Sequence, residues 1–280
     1  MKNFHTGEAT FISHVHLNVS DLTKMVQFYE NVIGLHVLEQ SANTAMLGVG
    51  EEAFLTLHAP EAVKPKQHRE TGLYHFAILV PTARDLGVVL RHFINLKIPL
   101  GAADHIVSEA LYLSDPEGNG IEIYADIDSD MWTWESGYVT MSTLKLDHAQ
   151  LLQLSEGEAW NGLPEGTKMG HLHLHVSQLE DARQFYETLG FQVVAELPTA
   201  LFMSTEGYHH HIAVNVWNGT NIPTPASETI GLRGAVMQFK NNEALEEAVQ
   251  RLREADFSVS TAQNGYEVKD PSGNMYWLKG

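Results

Sequence analysis

Two periodicities take turns along the chain. In ISHVHLNV (12–19) apolar and polar residues alternate, the pattern of a half-buried strand. The next stretch, SDLTKMVQFYENVIGL (20–35), carries apolar residues at helical spacing, opens on a serine and closes at a glycine. Three short strand-like runs bring the pattern to residue 58. Residues 72–125 repeat it. Leu86, Leu90, Phe93 and Ile94 set a helix over Ala83–Leu96, and LYLSDPEGNGIEIYAD (111–126) reads as strand, tight turn, strand. Residues 170–217 and 231–279 give the same succession twice more, with the last helix near Glu243–Ala255.

The four segments are related as two pairs. MGHLHLHVSQLEDARQFYETLGF (169–191) matches ISHVHLNVSDLTKMVQFYENVIGL (12–35), IGLRGAVMQF (230–239) matches TGLYHFAILV (71–80), and DPSGN (270–274) matches DPEGN (115–119). The near-constant offset marks a duplication. The chain divides into a first half (1–126, units one and two), a bridge (127–168) and a second half (169–280, units three and four). DHAQLLQLSEG suggests a short helix within the bridge. Residues 1–10 read as a loose arm and 218–229 as a Pro-rich loop. Each unit is βαβββ, which predicts an α+β fold. One unit cannot close its own sheet. Two make a curved, mostly antiparallel eight-stranded half-barrel with helices outside and inward side chains meeting on the concave face.

Composition narrows the chemistry. The chain has 280 residues, 44% apolar and 19% charged, as in an ordinary folded globular protein, with no run long enough to cross a membrane. Its N-terminus has neither a signal-peptide apolar core nor Arg-rich transit character, which favours the cytoplasm. A formal net charge of -18 argues against nucleic acid and anionic membranes as partners and suits a small ligand. A homo-oligomer stays open. Cysteine is absent, which removes disulfides, thiolate metal sites and a cysteine nucleophile. Sixteen histidines are the unusual feature, and any tight transition-metal site must use them with carboxylates. No G-x-G-x-x-G, P-loop or G-x-S-x-G stretch supports nucleotide binding or serine hydrolysis.

One carboxylate stands out. Glu122 points away from Ile121 and Ile123 within an otherwise apolar strand. A carboxylate there is costly unless it is paired, protonated or metal-bound. The plain alternative is a glutamate on the wet face of an edge strand.

Four βαβββ units, the Phe-Tyr helix ending at glycine and the DP-x-GN turn before a strand together resemble the vicinal oxygen chelate superfamily. That group includes glyoxalase I, extradiol ring-cleaving dioxygenases and bleomycin- or fosfomycin-resistance proteins. The resemblance covers nearly the whole chain apart from the bridge and is strongest to two-domain catechol 2,3-dioxygenases. It implies a metal held by first-strand histidines of two paired units and a last-strand glutamate. The first-strand positions are His14, His75, His171 and Gly234; the glutamate positions are Glu122 and, in unit four, Trp277. Unit four has lost both, so a complete site needs His75 and Glu122. The third ligand is His14 if units pair in chain order and His171 if the middle units pair. The middle pairing is favoured because it also gathers His209 and His211, on one face of an expected fourth strand, into the same bowl.

This resemblance implies an extradiol dioxygenase acting on an aromatic diol and O2. Fe(II) is the first expectation for the metal, with Zn, Ni, Co or Mn as other choices. Tyr112, three positions before the Asp115 turn, is expected to hydrogen-bond a substrate oxygen. His211 or His209 is expected as acid/base, and His105 as a candidate at the rim. Two other readings stand beside this one. A glyoxalase I-like lyase would use His211 as a fourth ligand, and a non-catalytic drug or metabolite binder would need no metal.

Overall fold

The computed structural model describes residues 2–280. Unit one is β1 (Phe11–Asn18), α1 (Leu22–Phe28, continuing as a π turn through Ile33), β2 (His36–Gln40), β3 (Thr44–Val49) and β4 (Glu52–His58). Unit two is β5 (Gly72–Leu79), α2 (Ala83–Leu96), β6 (Gly101–Asp104), β7 (Ser108–Ser114) and β8 (Gly120–Asp126). The bridge contributes a small hairpin, β9 (Trp134–Glu135) and β10 (Tyr138–Val139), and a helix, α3 (His148–Leu154). Unit three is β11 (Lys168–His175), α4 (Leu179–Leu189), β12 (Gln192–Leu197), β13 (Ala200–Ser204) and β14 (Ile212–Asn215). Unit four is β15 (Gly231–Gln238), α5 (Asn242–Glu254), β16 (Val259–Ala262), β17 (Gly265–Lys269) and β18 (Met275–Lys279). The α+β class and the four βαβββ units are as the sequence predicts.

The sheets are built across the two halves of the chain. One eight-stranded sheet runs β12-β13-β14-β11-β5-β8-β7-β6, from units three and two; the other runs β16-β17-β18-β15-β1-β4-β3-β2, from units four and one. In each, the first strands of two units meet antiparallel at the centre, β11 on β5 and β15 on β1. One buried apolar core runs through both sheets and their helices, from Ile12 and Met25 through Phe76 and Phe93 to Phe185 and Leu278.

The sequence signatures have a structural use. Tyr29 donates to Asp115 Oδ2 at 2.9 Å, and Tyr186 donates to Asp270 Oδ2 at 3.0 Å. Each aspartate also accepts from its own turn, Asp115 from the Asn119 backbone and side chain and Asp270 from those of Asn274. The Phe-Tyr helix of one unit is thereby tied to the DP-x-GN turn of the next, and each half of the chain is stitched internally although the sheets are not.

Two expectations fail. The arm is packed, not loose: Phe4 stacks on Trp132 at 5.5 Å between ring centroids, and His5 Nε2 donates to the Gly170 carbonyl at 2.8 Å. Both side chains are buried, so removing the arm would strip the Trp132–Tyr208 cluster of its cover. Residues 205–211 form a turn, and β14 begins only at Ile212. Alternation does not apply in a turn, so His209 and His211 are not placed by it. Among the described residues no helix is long and apolar enough to cross a membrane.

Candidate metal centre

Strand register explains why three residues from three strands meet. On β5, Ala77 pairs with His171 of β11 on one side and with Glu122 of β8 on the other; Tyr112 of β7 pairs with Glu122 in turn. Directly paired residues face the same way, so His171, Ala77, Glu122 and Tyr112 form one row across the sheet. Ala77 is the small member, and the long side chains on either side close over it. The adjacent row is His173, His75 and Gly120. A Cβ on Gly120 would lie 2.1 Å from the Tyr74 carbonyl and 3.0 Å from the His75 side chain, so only glycine lets β8 approach β5 there.

The result is a buried cluster. His75 Nε2 lies 3.0 Å and His171 Nε2 3.1 Å from the same oxygen, Glu122 Oε2, and all three residues are buried. Their ligand atoms are close enough together to hold one metal ion. Burial by itself pushes the Glu122 carboxyl up, but the two imidazoles together outweigh it and hold the group well below the usual carboxylate range. Burial lowers His171 to about 4, so its imidazole is neutral at neutral pH, the form that binds metal. His75 Nε2, for all its closeness to Glu122, makes no aligned hydrogen bond. Two nitrogens and a carboxylate oxygen converging on one point, with one of those nitrogens, His75 Nε2, lacking a hydrogen-bond partner, fit a shared cation. His75, Glu122 and His171 form a metal-binding triad of the 2-His-1-carboxylate kind.

His14 is elsewhere. It lies on β1 of the other sheet, where its Nδ1 donates to the Ala53 carbonyl at 3.1 Å and its Nε2 accepts from Thr56 Oγ1 at 2.7 Å. Both nitrogens are spent. The row equivalent to the metal row is His14, Val236, Trp277 and Glu267. Valine replaces Ala77 and tryptophan replaces Glu122. The Trp277 ring lies against Gly234, within 2.7 Å of where a Cβ would stand, and its Nε1 donates to Glu267 at 3.0 Å. Trp277 takes the place of the carboxylate, and the cavity on that face, about 390 Å³, is lined by His16, His58, Val236 and Trp277, with no glutamate where Glu122 stands in the metal row.

A cavity of about 740 Å³ faces the triad, lined by Glu122, His75, Tyr112, His105, His173 and His210 and, on the bridge, by residues 138–143. Tyr112 is held protonated well above its ordinary value by burial and by Glu122. Its hydroxyl lies 2.6 Å from His105 Nε2. His105 Nδ1 must donate to the Ser142 carbonyl at 2.8 Å, so Nε2 is the acceptor and Tyr112 the donor. The sequence-predicted pair Tyr112 and His105 is therefore joined and faces the cavity.

His209 and His211 do not face it. His211 Nε2 donates to the Phe4 carbonyl at 2.8 Å, and His209 Nε2 donates to Asp126 Oδ1 at 2.9 Å. Their neighbour His210 does: its ring lies 4.1 Å from that of His171. With Nε2 of His209 donating to a carboxylate, His209 Nδ1 accepts from His210 Nδ1, 2.8 Å away. His210 Nε2 is left bare as an acceptor. Burial and the neighbouring histidines keep His210 far below the ordinary imidazole value. The sequence reading missed His210, Asp126, Ala77 and the bridge. A run of three histidines after Glu206-Gly207 was the available signal that a turn, not a strand, sets their directions.

Comparison with known proteins agrees with this architecture. The model of the Glyoxalase/Bleomycin resistance protein/Dioxygenase superfamily matches residues 11–123 and 168–278, and the chain belongs to that superfamily. It is 41% identical over 275 residues to a catechol-2,3-dioxygenase of Bacillus subtilis (strain 168), covering 96% of each chain. It is 30% identical over 120 residues to biphenyl-2,3-diol 1,2-dioxygenase 2 of Rhodococcus globerulus, covering 41% of this chain and 62% of that one. Glyoxalase I from Zea mays shares the fold, with a TM-score of 0.58 at 15% identity over 96% of this chain and 92% of that one.

Proposed function

We propose that the protein is an Fe(II)-dependent extradiol dioxygenase that opens the ring of a catechol-type diol with O2. The observation that carries this reading is the buried triad of three protein ligands, two of which, His75 and Glu122, line a cavity. Three ligands leave open positions, the arrangement of non-heme Fe(II) oxygenases. Full-length similarity to a catechol-2,3-dioxygenase supports the same activity. A lyase of the glyoxalase type would call for a fourth protein ligand, and His211, the expected candidate, is engaged by Phe4 instead.

His75, Glu122 and His171 would hold the metal, which as a Lewis acid lowers the diol pKa and templates it beside dioxygen. Tyr112, whose proton is committed to His105, presents an oxygen lone pair to a substrate hydroxyl. His210 Nε2, bare and facing the cavity, is placed to take the proton of the second hydroxyl, and its lowered basicity favours returning it as the ring opens. It takes the acid/base role expected of His209 or His211. Residues 138–143 cover one side of the cavity and help exclude water. Both atoms of O2 enter a ring-opened hydroxymuconic semialdehyde, so no outside reductant is needed. We place this activity in the cytoplasm, in keeping with the absence of cysteine. The test is to load the protein with Fe(II) anaerobically and admit catechol and air. The reading expects O2 uptake matched by a yellow product absorbing in the near-visible; neither signal across a panel of catechols would refute it.

A further inference from the structure

The cavity facing the triad contains no lysine or arginine. Its basic groups are the histidines His75, His105, His173 and His210. Its carboxylates are Glu122 and, at the rim, Glu196, which already accepts from Arg183 at 2.8 Å. The adjoining cavity does hold a cation, Lys66, but that amine donates to Asn119 Oδ1 at 2.7 Å and to the Gly118 carbonyl. The two cavities share only Tyr74, His75 and Tyr112. Much of the remaining wall is apolar, with Ala103, Met141, Ala195, Leu197, Phe202 and Trp217.

From this lining we infer that the enzyme selects uncharged catechols bearing a bulky apolar substituent and discriminates against catechols that carry a carboxylate. The inference rests on the dioxygenase reading above and names the substrate class of the same site. A substituent carboxylate entering this cavity loses water and meets no cationic side chain, while the metal is taken up by the diol oxygens, so its charge goes unpaired. The overall charge of -18 opposes its approach as well. An apolar substituent gains by the apolar surface it buries against this wall. Space is not limiting, since pockets of roughly 300–1,000 Å3 enclose drug-sized ligands and this one measures about 740 Å³.

A matched pair of diols tests this: 4-tert-butylcatechol and 3,4-dihydroxyphenylacetate, similar in size and opposite in polarity. With iron-loaded protein, kcat/KM is expected to be about 100-fold or more higher for the apolar diol. Met141→Arg should narrow the gap and Met141→Leu should not. Equal or better turnover of the carboxylated diol overturns the inference and leaves the dioxygenase reading standing. If neither diol is cleaved, the dioxygenase reading fails, and binding to metal-free protein decides this inference alone. Trp217 fluorescence, taken as the difference between the protein and its Trp217→Phe variant, should be quenched by 4-tert-butylcatechol and not by 3,4-dihydroxyphenylacetate. Quenching by both alike, or by neither, overturns it.

Discussion

His171, from the second half of the chain, places its Nε2 3.1 Å from Oε2 of Glu122, from the first half, and the two approach each other over Ala77. Adjacent strands are about 4.8 Å apart, so residues two strands apart touch only if the one between is small. Ala77→Val should keep the fold, because Val236 occupies the equivalent place in the other sheet. Metal affinity should fall about 10–100-fold with all three ligands intact. Metal titration followed by calorimetry checks this, and an unchanged affinity would mean that Ala77 does not set the gap.

The ligands themselves separate from their sequence twin. Glu122→Ala and His171→Ala should each reduce bound metal to well below one per chain. His14→Ala should leave metal content unchanged. It should instead cost about 1–3 kcal/mol of stability, because Thr56 and the Ala53 carbonyl lose their partner. Elemental analysis of the purified variants and urea midpoints read the two effects apart.

The fold and the triad were legible in the chain, for physical reasons. Strand alternation, helix periodicity and the repeated DP-x-GN turn are local, and the loss of both ligand types at Gly234 and Trp277 fixed His75 and Glu122. His171 was preferred to His14 because it gathered His209 and His211; the choice holds, but the turn at 205–211 removes that reason, and the pairing of β11 with β5 supplies the actual one. The directions of His209, His210 and His211 were not legible. A turn between β13 and β14 aims each side chain separately, and the partners that fix them, Asp126 and Phe4, are remote in sequence. The arm failed for a similar reason. Phe4 and His5 look like part of a polar tail until Trp132, Tyr208 and Gly170 are brought to them. Ala77 and Gly120 matter only as spaces between strands, which no single-strand pattern reveals.

His210 and His211 should differ sharply on mutation. His210→Ala should lower kcat about 10²–10⁴-fold with metal content retained, as expected for loss of an acid/base. His211→Ala should retain kcat per folded molecule and lose stability, since its Nε2 holds the Phe4 carbonyl. Steady-state rates normalised to bound iron, with thermal midpoints, distinguish them. The reverse pattern would return the acid/base role to His211.

Acid should unfold the protein through its buried histidines. Burial moves His5 from 6.5 to about 4, so between these values the unfolded chain binds the proton and the folded one does not. Stability is therefore full above about pH 6.5 and falls as pH drops towards 4, by about 3 kcal/mol for this residue. His14 and His16, pushed to about 4 and about 3 mainly by burial, act with the same sign. His5→Gln, which keeps a donor for Gly170, should lose less stability than the parent between pH 7.5 and 4.5. Urea midpoints at the two pH values check this, and equal losses would contradict it.

Crystals of metal-loaded protein, with diffraction recorded above and below the absorption edge of the metal, bear most directly on the idea of one site shared by the two halves. An anomalous peak is expected at one place per chain, bounded by His75 Nε2, His171 Nε2 and the Glu122 carboxylate. A peak beside His14, His16 and His58 in the other sheet, or one away from Glu122, would contradict the account.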